Sequence, residues 1–150
     1  MGFLDELFAK SKYLNKKEDK PSDFSVWNKF IYEVCNKDMN ELSDIQRAAA
    51  VCFWYDSEMQ SSGYCGFFDV YPEITPEMLL PAIELIGNKK IADNYRNALA
   101  EKAIYDEDDE IEGDGYETVD FEYYDIEPSL SDLLMKFVED NKEEIFRGIL

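Results

Sequence analysis

The sequence predicts an all-α fold: a single domain of about five to seven helices with an acidic internal loop. Three observations lead there. Apolar residues recur at helical spacing in one segment after another, several of those segments start behind a residue type that caps helices, and no two stretches alternate like strands that could pair. With 150 residues, 45% of them hydrophobic, the chain is long enough to bury one core. Residues 1–21 read as an N-terminal extension and residues 22–150 as the helical domain.

In Met1–Phe8, residues Phe3, Leu4, Leu7 and Phe8 can share one side of a short amphipathic turn, and Ala9–Pro21 holds five lysines. Ser22 or Asp23 then caps a helix whose apolar residues are Phe24, Trp27, Ile31, Val34 and Cys35. Ser43 with Gln46 forms a capping-box pattern that opens a second helix through Ile45, Ala48, Ala49, Cys52 and Phe53 toward Met59, with a break expected at Ser61, Ser62 and Gly63. Thr75 followed by Pro76 is an N-cap with proline in the first helical position, starting a helix through Leu79, Leu80, Ile83 and Ile86 that Pro81 should bend. Gly87 should end it in the left-handed conformation, and Asn88 should cap the next helix, which carries Ile91, Ala92, Tyr95, Ala98 and Leu99. Ser129 or Ser131 starts a last helix with Leu130, Leu133, Leu134, Phe137 and Val138 on one face, before Ile145, Phe146, Ile149 and Leu150.

Between these helices lies the feature that sets the functional question. Residues 106–127 hold twelve carboxylates, Asp106, Glu107, Asp108, Asp109, Glu110, Glu112, Asp114, Glu117, Asp120, Glu122, Asp125 and Glu127, without one Lys, Arg or His. No basic side chain occurs between Lys102 and Lys136, so local neutralisation is not expected and these acids should meet solvent, cations or a basic partner. Val119, Phe121 and Tyr123 alternate with Asp120 and Glu122 as in a strand. Without a second strand to pair, an ordered loop or short helix is the better reading, pinned to the body by Tyr105, Ile111, Tyr116, Val119, Phe121, Tyr123 and Tyr124. Solubility alone is the bland explanation of so many acids.

Charge narrows the partners. Of the net −19, residues 101–150 contribute most, with 18 acids against 4 bases, whereas residues 1–100 have 16 against 11. Direct binding of nucleic acid or an anionic membrane needs Lys and Arg and is not expected; basic proteins are. No apolar run is long enough to span a bilayer, and no secretory or myristoylation signal is read at the N-terminus. Cys35, Cys52 and Cys65, an odd number without a CxxC pair, read as reduced and mostly buried thiols of a cytoplasmic protein.

The absence of histidine removes the Ser-His-Asp triad, the Cys-His pair and the HExxH zinc site. There is no phosphate-binding glycine loop. Asp108, Glu110, Glu112, Gly113 and Asp114 can be laid on an EF-hand loop, but Glu stands at two positions that want short ligands and Val119 stands where the bidentate Glu belongs. No metal and no cofactor is therefore assigned. A glycosidase pair needs one carboxyl in an apolar pocket. Asp56 and Glu58 fit that better than the hydrated run does, although bonding to backbone amides near Gly63 is the simpler role. Tyr64, Phe67, Phe68 and Tyr71 lack interleaved cations and read as core or a protein-contact groove, not a base-stacking platform.

Several segments together carry a resemblance. Asp56-Ser57-Glu58-Met59-Gln60-Ser61-Ser62-Gly63-Tyr64-Cys65-Gly66-Phe67-Phe68, then Ala82-Ile83-Glu84-Leu85-Ile86-Gly87 with Ala92, then Asp120-Phe121-Glu122-Tyr123-Tyr124 with Leu133, Leu134, Phe137, Val138, Asn141 and Phe146, resemble the DNA-mimic-protein-like family, a bacterial group of small helical proteins. The likeness spans roughly residues 24–148. Ser61, Ser62 and Gly66 depart from the family's Asn, Gly and Gln, while Gly63 keeps the permissive backbone of the turn. The resemblance implies an all-helical fold and carboxylates presented in place of DNA phosphates to a DNA-binding protein; it implies no catalytic residue.

The physical case stands beside it. Duplex DNA has one charge per ~1.7 Å of axis, and an extended chain at ~3.3 Å per residue is too sparse to imitate that, so the tract must be folded back. The expected function is an acidic binding module for the basic site of a nucleic-acid-binding protein. Its contact surface is the twelve acids, extended by Asp132, Glu139 and Asp140. The alternatives are an immunity protein that covers a basic nuclease toxin and, from another class, an enzyme using Asp56 and Glu58 or a loosely held metal.

Overall fold

The computed structural model describes residues 26–108, 110 and 113–149, and the described residues are all-α. The expected N-terminal turn, the lysine-rich stretch and the cap at Ser22 or Asp23 lie outside them. Helical residues from 26 run into a π-helix, Phe30–Cys35, and a 3-10 turn, Met39–Glu41, precedes six α-helices. These are α1 Asp44–Val70, α2 Pro76–Ile86, α3 Lys89–Glu107, α4 Glu117–Asp125, α5 Leu130–Asp140 and α6 Lys142–Ile145. Among the described residues, no helix is long and apolar enough to cross a membrane.

The long α1 is the axis of the molecule and touches α2, α4, α5, α6 and the π-helix, while α3 packs on α2 and α4. Its start is the capping box read from sequence: the Gln46 amide donates to the Ser43 hydroxyl at 3.3 Å, and the Ser43 amide donates back to Gln46 Oε1 at 2.9 Å. Gln46 also donates from Nε2 to the Ile145 carbonyl at 2.7 Å, so the same residue ties down the C-terminal turn. Asn88 caps α3 through the Ile91 amide at 3.0 Å, and Ser129, not Ser131, caps α5 through the Asp132 amide at 3.2 Å.

Two readings change. The break expected at Ser61, Ser62 and Gly63 falls at Gly63 alone, at φ 71° and ψ −165°, and it is a kink beyond which the helix resumes to Val70. Tyr64, Phe67, Phe68 and Tyr71 therefore belong to the far half of a kinked helix and its end, with Tyr64 and Phe67 fully buried, as the core reading of that cluster requires. Gly87 is not left-handed, with φ −91° and ψ −137°. Its lack of a side chain serves packing instead, since a β-carbon there would lie 3.0 Å from the Ile83 carbonyl oxygen and 3.3 Å from Ile91. Helix α2 runs through Pro81, which falls on an exposed face. Cys35 and Cys52 are buried, Cys65 is exposed, and all three are free.

Candidate functional site

The acidic tract is built from the end of α3, a connection, and α4. Asp106 and Glu107 lie in the last turn of α3, Asp108, Glu110 and Asp114 in the connection, Glu117, Asp120, Glu122 and Asp125 on α4, and Glu127 just beyond it. Asp109 and Glu112 lie outside the described residues, as does Ile111. All the described acids of the tract are exposed except Asp120, which is partly buried. The strand-like alternation gives way to a helix because Val119 and Tyr123 are one helical turn apart and both face the core. Phe121 falls on the opposite side and is 60% exposed, so it does not help to pin the tract as expected.

The anchors of α4 are specific. Asn94 on α3 is buried; its Nδ2 donates to the Val119 carbonyl at 3.0 Å and its Oδ1 accepts from the Tyr64 hydroxyl at 2.7 Å. Tyr64 and Tyr55 share a short hydroxyl–hydroxyl bond across the kink of α1. The Tyr123 hydroxyl donates to Asp56 Oδ1 at 2.5 Å, and the Tyr124 hydroxyl donates to the Met59 carbonyl at 2.5 Å. At the entrance, Tyr116 takes a left-handed φ of 73° and packs edge-on to Tyr105, with ring centroids 5.2 Å apart.

Asp120 makes the least expected of these contacts. The non-helical geometry of Gly63 opens the ladder of α1, and the freed Tyr64 N–H donates to Asp120 Oδ1 at 2.9 Å. A carboxylate from one helix thus caps the second half of another, doing for Tyr64 what an N-cap side chain does locally. The approach needs glycine: a β-carbon on Gly63 would sit 2.3 Å from Asp120 Oδ2.

Electrostatics separates acids that serve the structure from acids that are free. Asp106 is neutralised locally, contrary to expectation, by Lys102 one turn back on α3 at 2.5 Å. Glu139 and Asp140 are likewise paired, with Lys142 at 3.4 Å and Lys136 at 2.7 Å, which leaves Asp132 as the exposed extension acid without an ion pair among the described residues. Among the described residues, no acid from Glu107 to Glu127 has a Lys or Arg within 4.0 Å. Asp114 accepts from the Thr118 hydroxyl and, at 3.1 Å, from the Thr118 amide, which holds its carboxyl below the usual range. Burial raises the Asp120 carboxyl, against the opposing bond from Tyr64, and burial followed by the nearby Asp114 raises Glu101. Asp108 accepts from the Glu110 amide at 3.0 Å, so this connection turns carboxylates toward its own backbone.

Asp56 and Glu58 are both buried, but residues two apart on a helix do not face each other, and no paired site results. The backbone amide beside Gly63 is satisfied by Asp120, not by either of them. Burial pushes the Asp56 carboxyl up, partly offset by hydrogen bonds from Tyr123 and Gln60. A carboxyl raised in the folded state above its unfolded value of about 3.9 opposes folding when ionised, and the penalty fades as pH falls through the folded pKa. Asp56→Asn, which still accepts from Tyr123, is expected to melt higher than the parent at pH 7. That gain should shrink to nothing toward pH 4, as followed by thermal unfolding across the range; a gain independent of pH would assign it to packing.

Sequence reasoning missed Asn94, although its signal was present: a polar side chain amid Ile91, Tyr95 and Ala98 on the buried stripe of α3. The Asp120–Gly63 contact had no local signal, because 56 residues separate Asp120 from Tyr64. The model of a family described as DMP19-like protein matches residues 40–141, from the 3-10 turn through α5. No curated protein and no solved structure matches the chain.

Proposed function

The chain belongs to the DMP19-like family, a family of DNA mimics, and we propose that it is an acidic protein-binding module that occupies the basic site of a nucleic-acid-binding protein. One observation carries this reading: exposed acids that make no ion pair among the described residues stand on a helix fixed to the core by buried hydrogen bonds. Glu117, Glu122 and Asp125 lie within about 12 Å along α4 at a rise of ~1.5 Å per residue. They average about 6 Å apart along the axis, against ~3.4 Å between charges along one strand of DNA, so the exposed acids that flank the helix, Asp114 and Glu127, have to contribute to the array as well. A fixed array of this kind does not have to be ordered on binding, so more of the Coulomb attraction to a cationic surface is retained. The reading assigns no catalytic group, cofactor or metal.

The test is capture on the immobilised chain, followed by competition. Bound proteins should be enriched in basic nucleic-acid binders, released as salt rises from about 50 to 200 mM, and displaced by duplex DNA. A captured set without that enrichment, or binding indifferent to both salt and DNA, removes the proposal. Retention by a basic protein that duplex DNA does not displace would keep an acidic binding module and remove the mimicry.

A further inference from the structure

A surface that only imitated phosphates would need no apolar group at its centre, yet α4 has one. Phe121 is 60% exposed and makes no ring contact among the described residues. Single exposed hydrophobic residues are ordinary; the placement of this one is not. Glu117 and Asp125 lie one helical turn before and after it on the same face, with Glu122 adjacent. Tyr124, three residues on, is 43% exposed, with its hydroxyl tied to the Met59 carbonyl, so its ring extends the same patch from a fixed position.

We propose that Phe121, with the ring of Tyr124, is the apolar anchor of the acidic surface, received by a basic segment of the partner that carries an aliphatic side chain among its Lys and Arg residues. This rests on the acidic-surface reading and deepens it. Charge selects the occupant: a second copy would bring another net −19 against these carboxylates, whereas a cationic segment with an apolar side chain matches both parts of the patch. Proteins that read duplex DNA carry such segments, because the groove offers the thymine methyl group between rows of phosphates and apolar side chains contact it. Phe121 stands among its carboxylates in a comparable arrangement, and a desolvated aromatic at the centre of a charged rim is where binding energy concentrates.

The test uses the full chain and two short helical peptides of identical Lys and Arg content. One has leucine at two positions a turn apart, and the other has alanine there. The leucine peptide is expected to bind about tenfold more tightly, the scale of burying one aliphatic side chain against a ring. Phe121→Ser should bring its affinity down to that of the alanine peptide without changing the salt dependence, and Phe121→Leu should restore most of the difference. Equal affinity of the two peptides for the parent chain overturns the anchor while leaving the acidic surface intact. So does a preference that survives in Phe121→Ser. If neither peptide binds at low salt, the acidic-surface reading fails and the anchor with it. Self-association of the parent chain that Phe121→Ser abolishes, measured by sedimentation, would give the patch to a second copy and overturn the proposal.

Discussion

Gly63→Val will destabilise the fold by about 3 kcal/mol or more, a large share of the ~5–15 kcal/mol that holds a domain of this size together. Two effects add. At φ 71° and ψ −165° the backbone of residue 63 lies in a region that essentially only glycine occupies, and a β-branched residue there is strained wherever its side chain points. The new β-carbon would also fall 2.3 Å from Asp120 Oδ2, forcing away the carboxylate that accepts the Tyr64 N–H. Asp120→Ala alone removes that acceptor and should cost about 1–3 kcal/mol, the scale of an orphaned partly buried donor, while Asp120→Asn keeps an acceptor and should cost less. Because both substitutions break the same bond, Gly63→Val combined with Asp120→Ala should fall short of the sum. Urea unfolding of the four variants, with hydrogen exchange at the Tyr64 amide as the local readout, decides it. A strictly additive double variant would show that the carboxylate and the kink are independent.

The kink also shows what could and could not be read in the chain. Helix starts were legible at Ser43, Asn88 and Ser129 because a cap is a contact over three residues, and the side chain that makes it is adjacent in sequence; at Thr75, whose side chain makes no cap bond, the start was legible from Pro76 in the first helical turn. The break at Gly63 was legible as a glycine, but its consequence was not. A helix resumes beyond it only because Asp120 arrives from a distant segment to satisfy Tyr64, and the tertiary contact overrides the local stop signal. Asp120 reads in sequence as one more member of an acidic run, although it is bonded inward while Glu117, Glu122 and Asp125 are exposed. Tyr123 and Phe121 look alike in the same run, yet the 3.6-residue period buries one and exposes the other. The pairing of Asp106 with Lys102 was hidden for a simpler reason: counting charges inside the tract leaves out the cation one turn before it.

That division of labour tells which acids to neutralise. Glu117→Gln, Glu122→Gln and Asp125→Asn together remove three exposed charges of α4 and leave Asp114, Asp120 and Asp56 in their structural bonds. The triple variant should fold as the parent does, with an equal or slightly higher melting temperature because like-charge repulsion along α4 is relieved. Its affinity for the captured partner should fall about a hundredfold, taking each lost charge pair at roughly 1 kcal/mol and 1.4 kcal/mol as a factor of ten. The salt dependence of the remaining binding should flatten at the same time, because fewer counterions are exchanged on contact. A control with Glu41→Gln, Glu73→Gln and Glu77→Gln removes three exposed charges from outside the tract and changes the net charge equally. If attraction came only from the overall charge, the two triple variants would weaken together. A control that binds like the parent while the α4 variant fails places recognition on the helix, and equal losses in both would remove the local surface altogether. Measuring both affinities by titration at two salt concentrations adds a check, since the advantage of the parent over the α4 variant should narrow at high salt, where screening weakens the charge contacts that the variant has lost.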